Sequence, residues 1–332
     1  MTEQSKIPVP PKAKQGDSLL ERASGAFALD AFAPAPVPRD LAPPPLKRGK
    51  MAKAPEAAVP PPAVAEPPVE FSAPSQAPKA EPAPVPAERM RFDAPVQQVD
   101  RRKLAEQGFI VPEGAVTALL EEFRIVKRAV LEAARKSDKA QRVLVCSPLP
   151  GEGKTFCATN LALAIAAEKD SEVLLVDADF AKPSVLSVLG LTGGSNGLMD
   201  ALADPMVHIE DCVIKTDIAG LYVLPAGAST TSDSEYLTSR RTGEVLDRLT
   251  QGAPNRMVIF DSPPALAASP AAELAKHVGQ AVLVSRADIT GRSAMEDALQ
   301  LLGSCRDIKL LLNDARFSPS GRRFGAYYGY GG

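Results

Sequence analysis

The densest chemistry in the chain lies between Arg142 and Asn160, RVLVCSPLPGEGKTFCATN. Its centre, Gly151-Glu152-Gly153-Lys154-Thr155, has the residue types of the end of a phosphate-binding loop. Glycines there let backbone N–H groups turn toward phosphate oxygens, and the following helix adds the positive end of its dipole. In that chemistry Lys154 reaches the β- and γ-phosphates and the Thr155 hydroxyl ligates Mg²⁺, while Gly151, Glu152, Gly153 and Phe156 complete the ATP cradle. The standard pattern opens with glycine five positions before Gly153, where this chain has Pro148. An ordinary Gly-rich connection is the competing reading. The apolar strand before the loop and the helix after it favour the phosphate site.

Two acidic motifs are expected beside that loop. Val173-Leu174-Leu175-Val176-Asp177-Ala178-Asp179 ends an apolar strand in two carboxylates spaced i and i+2. That spacing suits Mg²⁺ and a hydroxyl that must lose its proton, although a helix cap or a surface pair has the same look. Met257-Val258-Ile259-Phe260-Asp261 is a Walker-B type element, a strand ending in one acid that holds Mg²⁺ directly or through water. Asn313 ends the last strand and either reads an adenine edge, the favoured reading, or caps a turn. Of the five tyrosines, Tyr327, Tyr328 and Tyr330 fall in the last six residues, in a Gly-rich stretch. They read as phosphoacceptors able to reach an active site, against the alternative of a merely adhesive tail.

Alternating strand and helix patterns position these residues. Strands are expected at 142–147, 172–177, 220–225, 256–261, 280–285 and 308–313, and helices near 154–168, 182–190, 195–203, 234–250, 268–277 and 292–304. The fold class that follows is α/β, a P-loop NTPase with a mostly parallel sheet covered by helices on both faces. Ligands then bind at the carboxyl ends of the strands, where both acidic motifs fall.

Ahead of this domain the material changes. Of 32 prolines, 21 lie at or before Pro95, which predicts a disordered Pro/Ala-rich arm over 1–98, with a short helical island near 17–32. Residues 99–137 read as a helical lead-in, with one helix near 101–107 and a longer one at 116–136. The domain-sized remainder spans 138–316, and 317–332 form a flexible Gly/Tyr-rich tail. A net charge of −2 and a pI near 5.9 give no bulk case for nucleic acid. Cys146, Cys157, Cys212 and Cys305 have no metal spacing, and a reduced compartment suits them. His208 and His277 have no partner pattern. No apolar run approaches the roughly 20 residues that span a bilayer, and no signal peptide is evident.

The set SPLPGEGKTF, VLLVDADFAKP, VIFDSPP and YYGY, in this order, resembles the bacterial tyrosine kinases (BY-kinases) of capsule and exopolysaccharide systems over about residues 98–332. The lead-in VDRRKLAEQGFIVPEG and the early SLLERA are similar to the exosortase-associated (PEP-CTERM) autokinases. The resemblance implies ATP-dependent autophosphorylation of Tyr327, Tyr328 and Tyr330 in trans. Lys154 and Thr155 then serve the nucleotide and Mg²⁺, Asp261 is the Walker-B metal acid, and Asp177 and Asp179 serve Mg²⁺ and tyrosine activation. Which of those two is the base stays open. Glu121, Arg124 and Lys127 fall on the family's ExxRxxR helix, which joins subunits into a ring; Lys127 stands for the final arginine and lacks its planar fork. Ala181 stands where many members have arginine, and Pro148 ceases to be a departure, since the family also lacks that first glycine. Expected partners are further copies of the chain and an inner-membrane polysaccharide co-polymerase that activates it at the cytoplasmic side. The alternatives are a partition or division-type ATPase, disfavoured by Leu149 at the position of that class's second lysine, and a catalytically silent ATP-binding scaffold.

Overall fold

The computed structural model describes residues 89–194, 196–229 and 232–315; the helical island near 17–32 and the three tail tyrosines lie outside the described residues. The described chain opens with a two-residue strand, β1 (Val96–Gln97), then helices α1 (Arg101–Glu106) and α2 (Ala118–Ala134). Strands and helices follow in turn: β2 (Arg142–Cys146), α3 (Lys154–Ala166), β3 (Glu172–Asp177), α4 (Val185–Leu189), α5 (Leu198–Ala203) and β4 (Ile214–Thr216). The remainder comprises β5 (Leu221–Leu224), α6 (Asp233–Leu237), α7 (Arg240–Thr250), β6 (Arg256–Asp261), α8 (Pro270–Ala275), β7 (Gln280–Arg286), α9 (Arg292–Leu301) and β8 (Ile308–Asn313).

All eight strands join one sheet in the order β1-β4-β5-β3-β6-β2-β7-β8. Every neighbouring pair is parallel except β4 with β5. Parallel neighbours need crossovers that lay helices on both faces, so the central strands are buried from both sides. β2 shows the consequence. Leu144 and Cys146 join the core on one face, Val143 and Val145 the core on the other, and all four are fully buried. α3 lies between the sheet and α2. It is buried from Cys157 to Ala166, and alanines at 158, 162, 164 and 166 let it approach both neighbours closely. α2 covers it with Phe123, Val130 and Ala133.

The six expected strands are present, and two short edge strands, β1 and β4, join them. The helix expected over 234–250 is two helices. Ser239 takes an extended backbone and its hydroxyl accepts from Thr242 N–H, so it starts α7 as an N-cap and ends the α6 segment before it. The packed fold also begins earlier than the composition change at 99. Met90 and Phe92 are buried in the core, and Phe92 stacks on Tyr222 at 5.1 Å between ring centroids.

Candidate nucleotide and phosphoryl-transfer site

The loop between β2 and α3 turns on Gly151 and Gly153, both left-handed at φ 81° and 94°. Gly153 admits no side chain: a Cβ there would lie 2.1 Å from Asn313 Nδ2. That approach exists because Asn313 Nδ2 donates to the Glu152 carbonyl at 2.9 Å, placing the end of β8 against the loop. The Glu152 side chain is also turned inward, 2 % exposed. One of its oxygens accepts from Leu149 N–H at 2.8 Å, the other from the Thr290 hydroxyl. Thr290 in turn accepts from Arg286 N–H at 2.7 Å. Glu152 therefore shapes the loop from behind, and Asn313 braces it.

Lys154 sits at the start of α3 and donates to Asp179 Oδ2 at 2.6 Å, with Asp261 Oδ1 4.0 Å away. Asp177, Asp179 and Asp261 come together as the sequence predicts, because β3 and β6 are neighbours in register, Asp177 opposite Asp261. Their surroundings differ. Asp177 is 1 % exposed and its oxygens accept from the N–H groups of Asp179, Ser184 and Val185 at 3.3, 2.8 and 2.9 Å. Burial pushes its carboxyl up, while those three amides act in the opposite direction. Asp179 accepts from Lys182 N–H at 3.2 Å in addition to the lysine. Asp261 is fully buried, and neither carboxylate oxygen has a well-formed hydrogen bond. Burial pushes it up to about 7; Lys154 and the nearby Thr155 hydroxyl pull it back, and Asp177 and Asp179 add repulsion.

A buried carboxylate with free lone pairs costs several kcal/mol unless something positive meets it. Mg²⁺ uses one or two protein ligands and completes its shell with water and phosphate oxygens. Asp261 and the Thr155 hydroxyl supply that oxygen chemistry, and Ser184 Oγ donates to Thr155 Oγ1 at 3.4 Å. The site fits the ion.

Phe156 faces elsewhere. It packs on Phe109 and Phe123 with centroids 5.0 and 6.5 Å apart, tying the first turn of α3 to the lead-in. Asn160 reinforces this tie by accepting from Ile110 N–H at 2.8 Å. Ile110, Thr290 and Ser184 were not singled out in the sequence; each acts through a contact that no local motif marks. Glu121, Arg124 and Lys127 lie on α2, away from the loop. Glu121 pairs with Arg124, and Lys127 with Glu168 at 2.5 Å. The four cysteines are free and buried, and burial raises Cys146 and Cys157 to about 12, so these thiols are inert.

Fold and site define a P-loop nucleotide-binding protein, and residues 143–314 match the AAA domain family. The chain is 31% identical over 206 residues to tyrosine-protein kinase wzc of Salmonella typhimurium, covering 61% of this chain and 28% of that protein. It is also 31% identical over 214 residues to tyrosine-protein kinase YwqD of Bacillus subtilis, covering 64% of this chain and 86% of the relative. The kinase domain of Escherichia coli tyrosine kinase ETK shares the fold, with a TM-score of 0.53 at 21% identity over 67% of this chain and 91% of that one. The chain belongs to the bacterial tyrosine kinase (BY-kinase) family. It spans about a quarter of the length of its Salmonella relative.

Proposed function

We propose that this chain is an ATP-dependent protein-tyrosine autokinase that phosphorylates Tyr327, Tyr328 and Tyr330 in trans and regulates exopolysaccharide polymerisation and export. The observation that carries this reading is the convergence of Lys154, Asp177, Asp179 and Asp261 behind a glycine loop shaped for phosphate. A silent scaffold has no use for a buried acid with free lone pairs at that spot.

Phosphoryl transfer needs positioning and neutralised charge more than covalent help. Lys154 leaves Asp179 for the β- and γ-phosphates of ATP, and the loop amides hold the same oxygens. Thr155 and Asp261 would hold Mg²⁺, which would supply charge neutralisation for the transfer. With Lys154 gone, Asp179 has a free oxygen to take the tyrosyl proton, while Asp177, held by three amides, keeps the segment in place. The phenolic oxygen bonds to the γ-phosphorus, the bond from that phosphorus to its bridging oxygen breaks, and ADP leaves.

In this reading the arm gives way near residue 89 to packed chain, 99–137 is an oligomerisation lead-in, 138–316 the kinase domain and 317–332 the acceptor tail. Glu121, Arg124 and Lys127 join copies into a ring. Their present ion pairs, Glu121–Arg124 and Lys127–Glu168, are exchanged for contacts between copies. An inner-membrane polysaccharide co-polymerase is the activator, and the chain works at the cytoplasmic side of that membrane. Among the described residues no helix is long and apolar enough to cross it. The lead-in's similarity to the exosortase-associated autokinases supports a role in such a system. Intact mass and tyrosine mapping after MgATP, beside Lys154→Met, tests the core of the proposal. Phosphate on the tail in the parent alone is the expected result; none, even with the activator's cytoplasmic segment added, sinks it.

A further inference from the structure

β8 is the outermost strand of the sheet, with β7 as its one neighbour. The carbonyls of Asp307 and Asn313 accept from Ala281 and Ala287 N–H at 2.9 Å, so the odd-numbered residues turn their backbone groups toward β7. The N–H and C=O groups of Ile308, Leu310 and Leu312 therefore face outward, and no described strand takes them up. The side chains of this edge are equally unguarded. Ile308 packs against the same core as Met295 and Leu299 of α9, whereas Leu310 and Leu312, on that face by the two-residue period, stay 61% and 62% exposed. Exposed edges are commonly protected by an outward charge, a bulge or a proline. Here the one charged residue of the strand, Lys309, is turned inward to Gln280 Oε1 at 3.0 Å and Asp307 Oδ1 at 2.7 Å. An open, apolar edge of six residues is a template for one more strand.

We propose that residues 327–330 of the chain's own tail, YYGY, add to β8 as an antiparallel strand and that the tail so parked is withheld from phosphoryl transfer. The docking stands on the edge itself; the withholding rests on the kinase reading above. The tail begins where the edge ends. Asp314 has a left-handed backbone, φ 55°, and accepts from Arg286 at 2.9 and 3.1 Å, so the chain bends as it leaves the strand. Residues 316–326 carry Pro319, Gly321 and Gly325, the chemistry of a turn, while tyrosine favours strands. Tyr328 and Tyr330 are two apart, as are Leu312 and Leu310. One register therefore lays both rings on both leucines and pairs the outward backbone groups. Charge agrees. Residues 316–332 hold three arginines and no acid, and α9 beside the edge presents Glu296 and Asp297, the latter in no ion pair among the described residues. A strand antiparallel to β8 runs away from the phosphate loop, which leaves Tyr330 about 10 Å below the level of Asn313. Phosphate on either ring, at about −1.5 to −2, has no place on leucine, so a labelled tail leaves the edge.

The chain has no tryptophan, so Tyr330→Trp in the full-length protein is a single reporter of the tail. Its emission should be blue-shifted, as for an indole on an apolar surface, and should hold on dilution. Leu310→Lys/Leu312→Lys should move it to the emission of an indole in water, while the Kd for a fluorescent ATP analogue holds. Strand pairing has its own signature. The outward amides of Leu310 and Leu312 should exchange slowly with deuterium, and Tyr328→Pro/Tyr330→Pro, which removes two donors from the added strand, should speed them about tenfold or more. With the tail tyrosines intact, Leu310→Lys/Leu312→Lys should speed labelling by MgATP roughly fivefold, the factor expected when about four tails in five are parked. Solvent-like emission in the reporter chain, or emission that the lysines leave unmoved, overturns the docking. A blue shift that fades on dilution gives the edge to a second copy and overturns the own-tail assignment. A parked tail with an unchanged labelling rate overturns the withholding. A parked tail in a chain that binds nucleotide but never labels itself overturns the kinase reading and leaves the docking standing.

Discussion

At the residue scale, Asp261 and the Glu152 brace make opposite demands. Asp261 is raised to about 7 by burial, from an unfolded value near 4, so the folded chain holds a proton there that the unfolded chain has lost. Stability without nucleotide must therefore fall as pH rises from about 4 to 7 and stay low above it. Asp261→Asn removes that penalty. Urea unfolding at pH 8 should show the variant more stable by roughly 1–3 kcal/mol, with a smaller difference at pH 5, while MgATP binding is lost. An unchanged or lowered stability at pH 8 would show that the carboxylate is satisfied in some other way. The brace behaves differently. Thr290→Val and Asn313→Ala each leave one loop group unheld, and each should weaken nucleotide binding about tenfold. Asn313 is also where the adenine-edge expectation is decided. If it reads the base, Asn313→Ala erodes the preference for ATP over GTP; as a brace of the loop it weakens both alike, which is the result expected. The glycines, Lys154 and the three strand-end acids were legible because their chemistry sits in contiguous motifs. The Asn313 and Thr290 contacts were not, since they join positions 161 and 138 residues away from Glu152.

At the element scale, the central strands were readable as short apolar runs because parallel strands buried on both faces carry little polar alternation. β1 and β4 escaped notice for the converse reason. At two and three residues they have no pattern of their own, and pairing at the sheet edge makes them strands. The segment leading into β1 is held by a further device at the start of β3 and β6. Arg256, 2 % exposed, donates to the Met90 carbonyl at 2.8 Å and to Glu172 at 3.0 Å, and its guanidinium lies 4.3 Å from the Phe92 ring centre. Glu172 also takes Arg89 at 2.5 Å. Burial alone would raise the Glu172 carboxyl, but the two arginines hold it below the usual range. A depressed carboxyl contributes stability that is complete above its unfolded pKa and disappears as pH falls through the folded one. Glu172→Gln should thus cost about 1–3 kcal/mol at pH 7 and progressively less below about pH 4, read by denaturant unfolding across that range. The clasp lies at the opposite end of the sheet from the phosphate loop, so nucleotide affinity should hold.

At the scale of the whole molecule, the question is whether a chain acts on its own tail or on another's. Length does not decide it. Tyr327 stands thirteen residues beyond Asp314, enough for about 43–47 Å of extended chain, whereas four strand spacings from β8 to β3 amount to roughly 19–20 Å. The path is what favours the proposed trans route. Asn313 is pinned to the loop at the end of β2, and β2 and β6 lie between β8 and the carboxylates of β3. By the strand order, a chain reaching its own Asp179 crosses the ends of β2 and β6, where its own nucleotide would sit, whereas a tail from another copy need not. Kinetics separate these routes. Transfer within one chain gives a first-order rate constant that does not change with protein concentration; transfer between copies gives one that rises with concentration until the assembly saturates. The second behaviour is expected. Arg124→Ala/Lys127→Ala should shift that saturation to higher concentration and reduce the assembly's mass by light scattering, leaving nucleotide affinity intact because these two side chains pair with Glu121 and Glu168 rather than with the loop. Phosphate on the tail then supplies the opposing force. Each modified tyrosine adds about −1.5 to −2 charge beside an already acidic cluster, so the fully labelled chain should show a smaller assembly than the unlabelled one. A first-order constant independent of dilution, together with an assembly of unchanged mass after labelling, would refute both the trans route and the charge-driven release.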